Sequence, residues 1–239
     1  MGSVVLVHGW GGSFATTWQR SGLTALLEDG GKEIVGVDLL GHGAAPKPHD
    51  PEAYNDLTSR VFDAIDAASP DEPIEAVGFS LGAITLLRAA IARPDRFSRL
   101  VLAGIGKNVI ERDQEGATRI VEGLESVIES GEATPAVLAD MDHTARLFVQ
   151  YAQQPDNDIV ALAAVMRRAS AGELDATLCS AVTCPVLIVV GDQDFVHPAD
   201  ELASWFSQGQ CETLRNVDHF ATPEAFGFFD ATLEFLDAI

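Results

Sequence analysis

Short runs of β-branched and aliphatic residues alternate along this chain with longer stretches whose apolar positions recur every three or four residues. Residues 4–7, 33–38, 74–78, 99–103, 185–190 and 211–214 have the length and composition of buried strands. Helical spacing fills residues 18–28, 57–68 and 81–92. In the second of these Leu57, Val61, Phe62 and Ile65 share a face, and Pro94 stops the third. Strands and helices in alternation, joined by short connections, predict an α/β domain with a mostly parallel sheet flanked by helices.

The rhythm breaks once. Between residues 107 and 174 no strand pattern appears, and helical patterns at 120–128, 135–151 and 156–168 follow one another. Gly131 and Pro155 stand at the breaks. This predicts a helical insertion, dividing the chain into a core of 1–106 and 175–239 and an inserted unit of 107–174.

Composition narrows the class. A chain of 239 residues, 47% hydrophobic and 21% charged, suits one well-buried globular domain. Its apolar runs are strand-sized, far short of the roughly 20 residues of a membrane span. Met1 leads almost at once into Val4 and a glycine-rich turn, with no signal-peptide pattern. Cys179, Cys184 and Cys211 match no zinc spacing and cannot all pair, so a reducing cytoplasm is the expected compartment. The net charge of −21 argues against nucleic acid and anionic membranes, where binding needs Lys and Arg. Arg88, Arg93, Arg96, Arg99, Lys107, Arg112 and Arg119 nevertheless fall in one stretch. They make a solvated face balanced by nearby acids more readily than a local basic patch.

The sharpest local signal is Gly78-Phe79-Ser80-Leu81-Gly82, between the strand at 74–78 and the helix at 81–92. A serine in such a strand-to-helix turn has a strained backbone and an exposed hydroxyl, and small residues are needed two positions either side. The helix start offers the Leu81 N–H to a developing oxyanion. A serine needs a base, and His219 in Val217-Asp218-His219-Phe220 follows the last strand. His8, His42, His49, His143 and His197 are weaker candidates by position. Gly191-Asp192-Gln193-Asp194, after the strand at 185–190, supplies the carboxylate, with Asp192 and Asp194 competing for the role. His8-Gly9-Trp10-Gly11-Gly12, after the first strand, adds a turn whose Trp10 N–H is a natural partner to that of Leu81.

These segments, with Asp38-Leu39-Leu40-Gly41-His42-Gly43, resemble the α/β-hydrolase family, in its branch of small single-domain serine esterases with a helical cap. The likeness runs almost from one end of the chain to the other. It implies the α/β-hydrolase fold, Asp194 as the acid, an oxyanion hole of Trp10 and Leu81 backbone N–H groups, and a cap at 107–174. No cofactor or metal is implied. Serine at the elbow separates the chain from the family's dehalogenases and epoxide hydrolases. Relatives usually carry one or two strands before the His-Gly strand, so a sheet smaller at one edge is expected. The expected activity is cleavage of a small-molecule carboxylic ester through an acyl-enzyme on Ser80, His219 and Asp194, by a monomer or small homo-oligomer. Thioester cleavage, cofactor-free perhydrolysis or haloperoxidation, and carbon–carbon hydrolysis use the same triad. A non-catalytic small-molecule receptor is the alternative from another class. Trp10, Phe79, Leu124, Leu147, Phe148 and Met166 are the candidate pocket lining.

Overall fold

The computed structural model describes residues 2–111 and 113–239. Arg112, one of the basic stretch, lies outside them. The core strands are β1 (Ser3–Val7), β2 (Glu33–Val37), β3 (Ile74–Phe79), β4 (Phe97–Ala103), β5 (Val186–Gly191) and β6 (Gly209–Leu214), in the order β2-β1-β3-β4-β5-β6. Every pairing is parallel. The six-stranded parallel sheet and its flanking helices make the expected α/β-hydrolase fold.

The strands carry apolar residues on both sides because both faces are covered. In β1, Val5 and Val7 enter one core while Val4 and Leu6 enter the other. In β5, Val186, Ile188 and Val190 face the first core, and Leu187 and Val189 the second. The helices that precede β4 are α1 (Leu23–Asp29), α2 (Ser59–Ala68) and α3 (Leu81–Ala92). Between β4 and β5 come α4 (Lys107–Ile110), α5 (Gln114–Ser130), α6 (Pro135–Ala139), α7 (His143–Ala152), α8 (Ile159–Arg167) and the short α9 (Ala176–Cys179). Towards the C-terminus lie α10 (Asp200–Ala203) and α11 (Phe226–Phe235). Among the described residues no helix is long and apolar enough to cross a membrane.

Two helical stretches divide where one continuous helix is expected. Residues 18–28 split into a π-helical turn, Phe14–Gln19, and α1, separated by Gly22 at φ +90°. Residues 135–151 split into α6 and α7 because Asp142 caps a new helix, its carboxylate accepting the Ala145 N–H at 2.8 Å. The C-terminal α11, absent from the sequence-based elements, packs Phe228, Phe229 and Leu233 into the second core.

Candidate active site

The end of β3 and the start of α3 meet at Ser80, whose backbone sits at φ 50°, ψ −112°. A non-glycine residue reaches this region only when its surroundings hold it there. Here the Ser80 N–H donates to the Ala103 carbonyl at 2.8 Å, and its own carbonyl accepts from Ile84 at 3.0 Å. The flanking glycines have a steric reason. A Cβ on Gly82 would run into the Val7 and His8 carbonyls, and one on Gly78 would lie 2.8 Å from the backbone of Ala83. The absent side chains let α3 start directly against β1 and β3.

The imidazole of His219 faces that hydroxyl, with Nε2 3.0 Å from Ser80 Oγ. Its Nδ1 lies 2.9 and 3.0 Å from the two carboxylate oxygens of Asp194. Asp194 and His219 are both buried. Asp194 is oriented in turn by the Val196 N–H, which donates to Oδ1 at 3.0 Å. With a proton on Nδ1 directed at Asp194, Nε2 is free to accept from the serine. Asp192 is exposed and points elsewhere, accepting the Asn216 N–H at 2.7 Å.

The loop after β1 closes beside the elbow. Gly12 N–H donates to the Gly9 carbonyl at 3.1 Å, with Gly11 at φ +73°. Among the described residues, the backbone N–H groups of Trp10 and Leu81 donate to no protein acceptor. Both residues are buried, one in the turn after β1 and one directly after Ser80, and unpaired N–H groups so placed are what an oxyanion requires. His8 ties the loop to the next one: its ring is fully buried, Nδ1 donates to the Gly9 carbonyl at 2.7 Å and Nε2 accepts the Leu39 N–H at 3.1 Å. The Asp38 carboxylate accepts the Phe14 and Ala44 N–H groups at 2.7 and 2.8 Å. The Asp38-Leu39-Leu40-Gly41-His42-Gly43 segment thus braces this side of the site.

A family profile described as the alpha/beta hydrolase fold matches residues 2–157, well over half of the chain. The chain belongs to the α/β-hydrolase family. It is 29% identical over 217 residues to a pimeloyl-(acyl-carrier protein) methyl ester esterase of Neisseria meningitidis serogroup A, covering 82% of this chain and 62% of that protein. To the esterase Rv0045c of Mycobacterium tuberculosis it is 28% identical over 141 residues, covering 59% of this chain and 45% of that one. The chain spans between 30% and 62% of the length of the curated relatives it matches. Among solved structures, a serine hydrolase of the polyaromatic-hydrocarbon-degrading bacterium Cycloclasticus zankles superposes with a TM-score of 0.73 at 20% identity, covering 99% of this chain and 90% of that one. That likeness is one of fold.

In this α/β-hydrolase the sequence-derived pocket residues divide. Trp10 packs on Phe148 with centroids 5.3 Å apart, and Phe79 packs against His219 at 5.0 Å. Met166 borders a cavity of about 810 Å³ that Phe195, Lys107 and Arg168 also line. Leu124 departs from the expectation. It has no exposed surface and packs among the helices between β4 and β5. Leu147 is half-buried on α7 beside Phe148. Three aromatic residues carry no motif of their own in the sequence. Phe195 lies 4.5 Å from the His219 ring, Phe220 lies 5.6 Å from it, and Tyr151 packs on Phe220 at 5.4 Å. Phe195 and Phe220 directly follow Asp194 and His219 in the chain, an adjacency that marks them.

His8, His42 and His49 have structural partners. His42 is fully buried against His8, with ring centroids 5.1 Å apart. Burial, with neighbouring positive charge, pushes the His42 pKa down to about 3, and burial lowers that of His8. His49 pairs with Asp158 at 2.9 Å, and His143 opens α7. Burial pushes the Cys179 and Cys184 thiols up to about 11, which leaves little thiolate at neutral pH. Among the described residues, most of the basic stretch is engaged by neighbouring acids and carbonyls. Arg93 and Arg96 share Asp66, Arg99 reaches the Phe235 carbonyl, and Arg119 binds Asp142.

Proposed function

We propose that the protein is a serine ester hydrolase acting on a small-molecule carboxylic ester. The observation that carries this reading is the unbroken contact chain from Asp194 through His219 to Ser80, beside two unpaired N–H groups. His219 Nε2 takes the Ser80 proton as Oγ attacks the ester carbonyl. The tetrahedral oxyanion is held by Trp10 and Leu81 N–H groups, and Asp194 stabilises the imidazolium. His219 then gives its proton to the leaving alcohol. In the second half it takes a proton from water, which attacks the acyl-enzyme; as the second tetrahedral intermediate collapses His219 returns that proton to Ser80 Oγ, releasing the acid and the free serine. The helices within residues 107–174 act as a cap that brings Phe148 and Tyr151 over this centre.

Esterase names among the relatives support the bond type. One relative's name places its substrate on an acyl carrier protein. Docking a carrier protein would want a basic face; the net charge of −21 opposes one, and among the described residues Arg88, Arg93, Arg96, Arg99 and Arg119 are each engaged by acids or carbonyls. A free ester is therefore the favoured substrate. The test is a panel of short- and long-chain p-nitrophenyl esters run with wild type and Ser80→Ala. Hydrolysis of at least one ester, abolished in the variant, is the expected result. Equal rates for both proteins across the panel overturn the proposal.

A further inference from the structure

We propose that Asn157 is a positioning residue for the oxyanion hole, holding the Trp10–Gly12 loop in its reactive shape from among the helices between β4 and β5; this rests on the assignment of the Trp10 N–H to that hole. Asn157 lies just before α8, and its Nδ2 donates to the Gly11 carbonyl at 2.8 Å and to the Tyr151 carbonyl at 3.2 Å. One side-chain amide therefore joins the loop after β1 to the end of α7. Two further ties run in parallel. The Trp10 indole Nε1 donates to the Leu162 carbonyl of α8 at 3.1 Å. The Tyr151 ring covers Gly11 so closely that a Cβ there would stand 2.7 Å from Cδ1.

The loop needs external support for a physical reason. Gly9, Gly11 and Gly12 surround Trp10, and glycine leaves the backbone many alternative torsions. Internally the turn is closed by the Gly12 to Gly9 hydrogen bond. The direction of the Trp10 N–H depends on what grips the loop from outside. A donor stabilising the oxyanion must sit close to its ideal place, because small misplacements cost large factors in rate. Among the described residues the Asn157 side chain makes no hydrogen bond to Ser80 or His219, so it acts through Gly11. The chemistry of its amide suits this position, since two carbonyl oxygens face it and only an N–H-bearing group satisfies both.

The experiment compares wild type, Asn157→Asp and Asn157→Ala, with rates normalised to serine sites titrated by a fluorophosphonate. Aspartate keeps the shape but sets a carboxylate oxygen against the two carbonyls, so a role in shape alone is rescued by it and a donor role is not. Expected in both variants is a fall in kcat of about tenfold or more with KM within about threefold. Affinity for an aryl trifluoromethyl ketone, whose adduct with Ser80 bears an oxyanion, falls in parallel with kcat. If Asn157→Asp does not fold, the alanine variant and its melting temperature carry the test. Unchanged kcat and ketone affinity, or a change in KM alone, overturns the inference. An active Ser80→Ala enzyme instead overturns the underlying reading, so the two failures are distinguishable.

Discussion

The Phe195 ring lies against the His219 imidazole, centroids 4.5 Å apart, although 44% of Phe195 is exposed. The contact keeps one face of the base apolar while its edge nitrogens address Ser80 and Asp194. Phe195→Ala should lower kcat by about two- to tenfold through a looser imidazole. Because the ring is substantially exposed, unfolding free energy should shift by less than about 1 kcal/mol. Steady-state kinetics beside urea denaturation checks both; a large stability loss with unchanged kcat contradicts the prediction.

The two acids after β5 are expected to separate sharply. Asp194→Asn removes the partner that fixes the Nδ1 proton and should reduce kcat by about 10³- to 10⁴-fold. Asp192→Asn alters an exposed carboxylate that accepts a loop N–H, and activity should stay within about threefold of wild type. Parallel assays of the two variants decide it, and a greater loss at Asp192 reverses the assignment.

Stability should fall as pH drops below the ordinary histidine range. The folded-state pKa of His42 is lowered to about 3 by burial first, while the unfolded chain titrates near the ordinary value of 6.5. Below 6.5 the unfolded state binds a proton that the folded state refuses, so this contribution is present above 6.5 and lost on acidification. The slope is about 1.4 kcal/mol per pH unit for each such histidine. Urea unfolding of wild type and His42→Gln between about pH 7.5 and 5.5 is the measurement. The variant should show a shallower slope.

Gly82→Ala places a methyl group against the Val7 and His8 carbonyls. The junction of β1 and α3 must then spread, at a cost of about 1–3 kcal/mol. Ser80 activity should fall with it, since the start of α3 carries the Leu81 N–H. Thermal melts and fluorophosphonate labelling rates report the two effects; an unaltered melting temperature with full labelling contradicts the prediction.

The parts of this fold legible in sequence are those where local chemistry and tertiary role coincide. Both-face burial makes β1 and β5 nearly continuous apolar runs and β3 one interrupted only by Glu75, and the steric demand at the elbow writes Gly78 and Gly82 on either side of Ser80. Helix breaks at Gly22 and Asp142 are local signals too, though the apolar spacing runs on through both. In α11, Phe228, Phe229 and Leu233 have helical spacing that the alternation of strands draws attention away from. Asn157 is of another kind. Its partner Gly11 is 146 positions away, and nothing about an asparagine in a polar loop indicates which carbonyl it meets.

The torsions of Ser80 make the molecule less robust than its sheet alone allows. Glycine at that position would relax a backbone strain of about 1–3 kcal/mol, offset partly by glycine's own entropy, and would remove the hydroxyl proposed as the nucleophile. Selection of this chain for heat resistance alone, with no demand for turnover, would therefore be expected to discard its reactive hydroxyl early. Under the proposed function, heat resistance and turnover make opposite demands on this one residue.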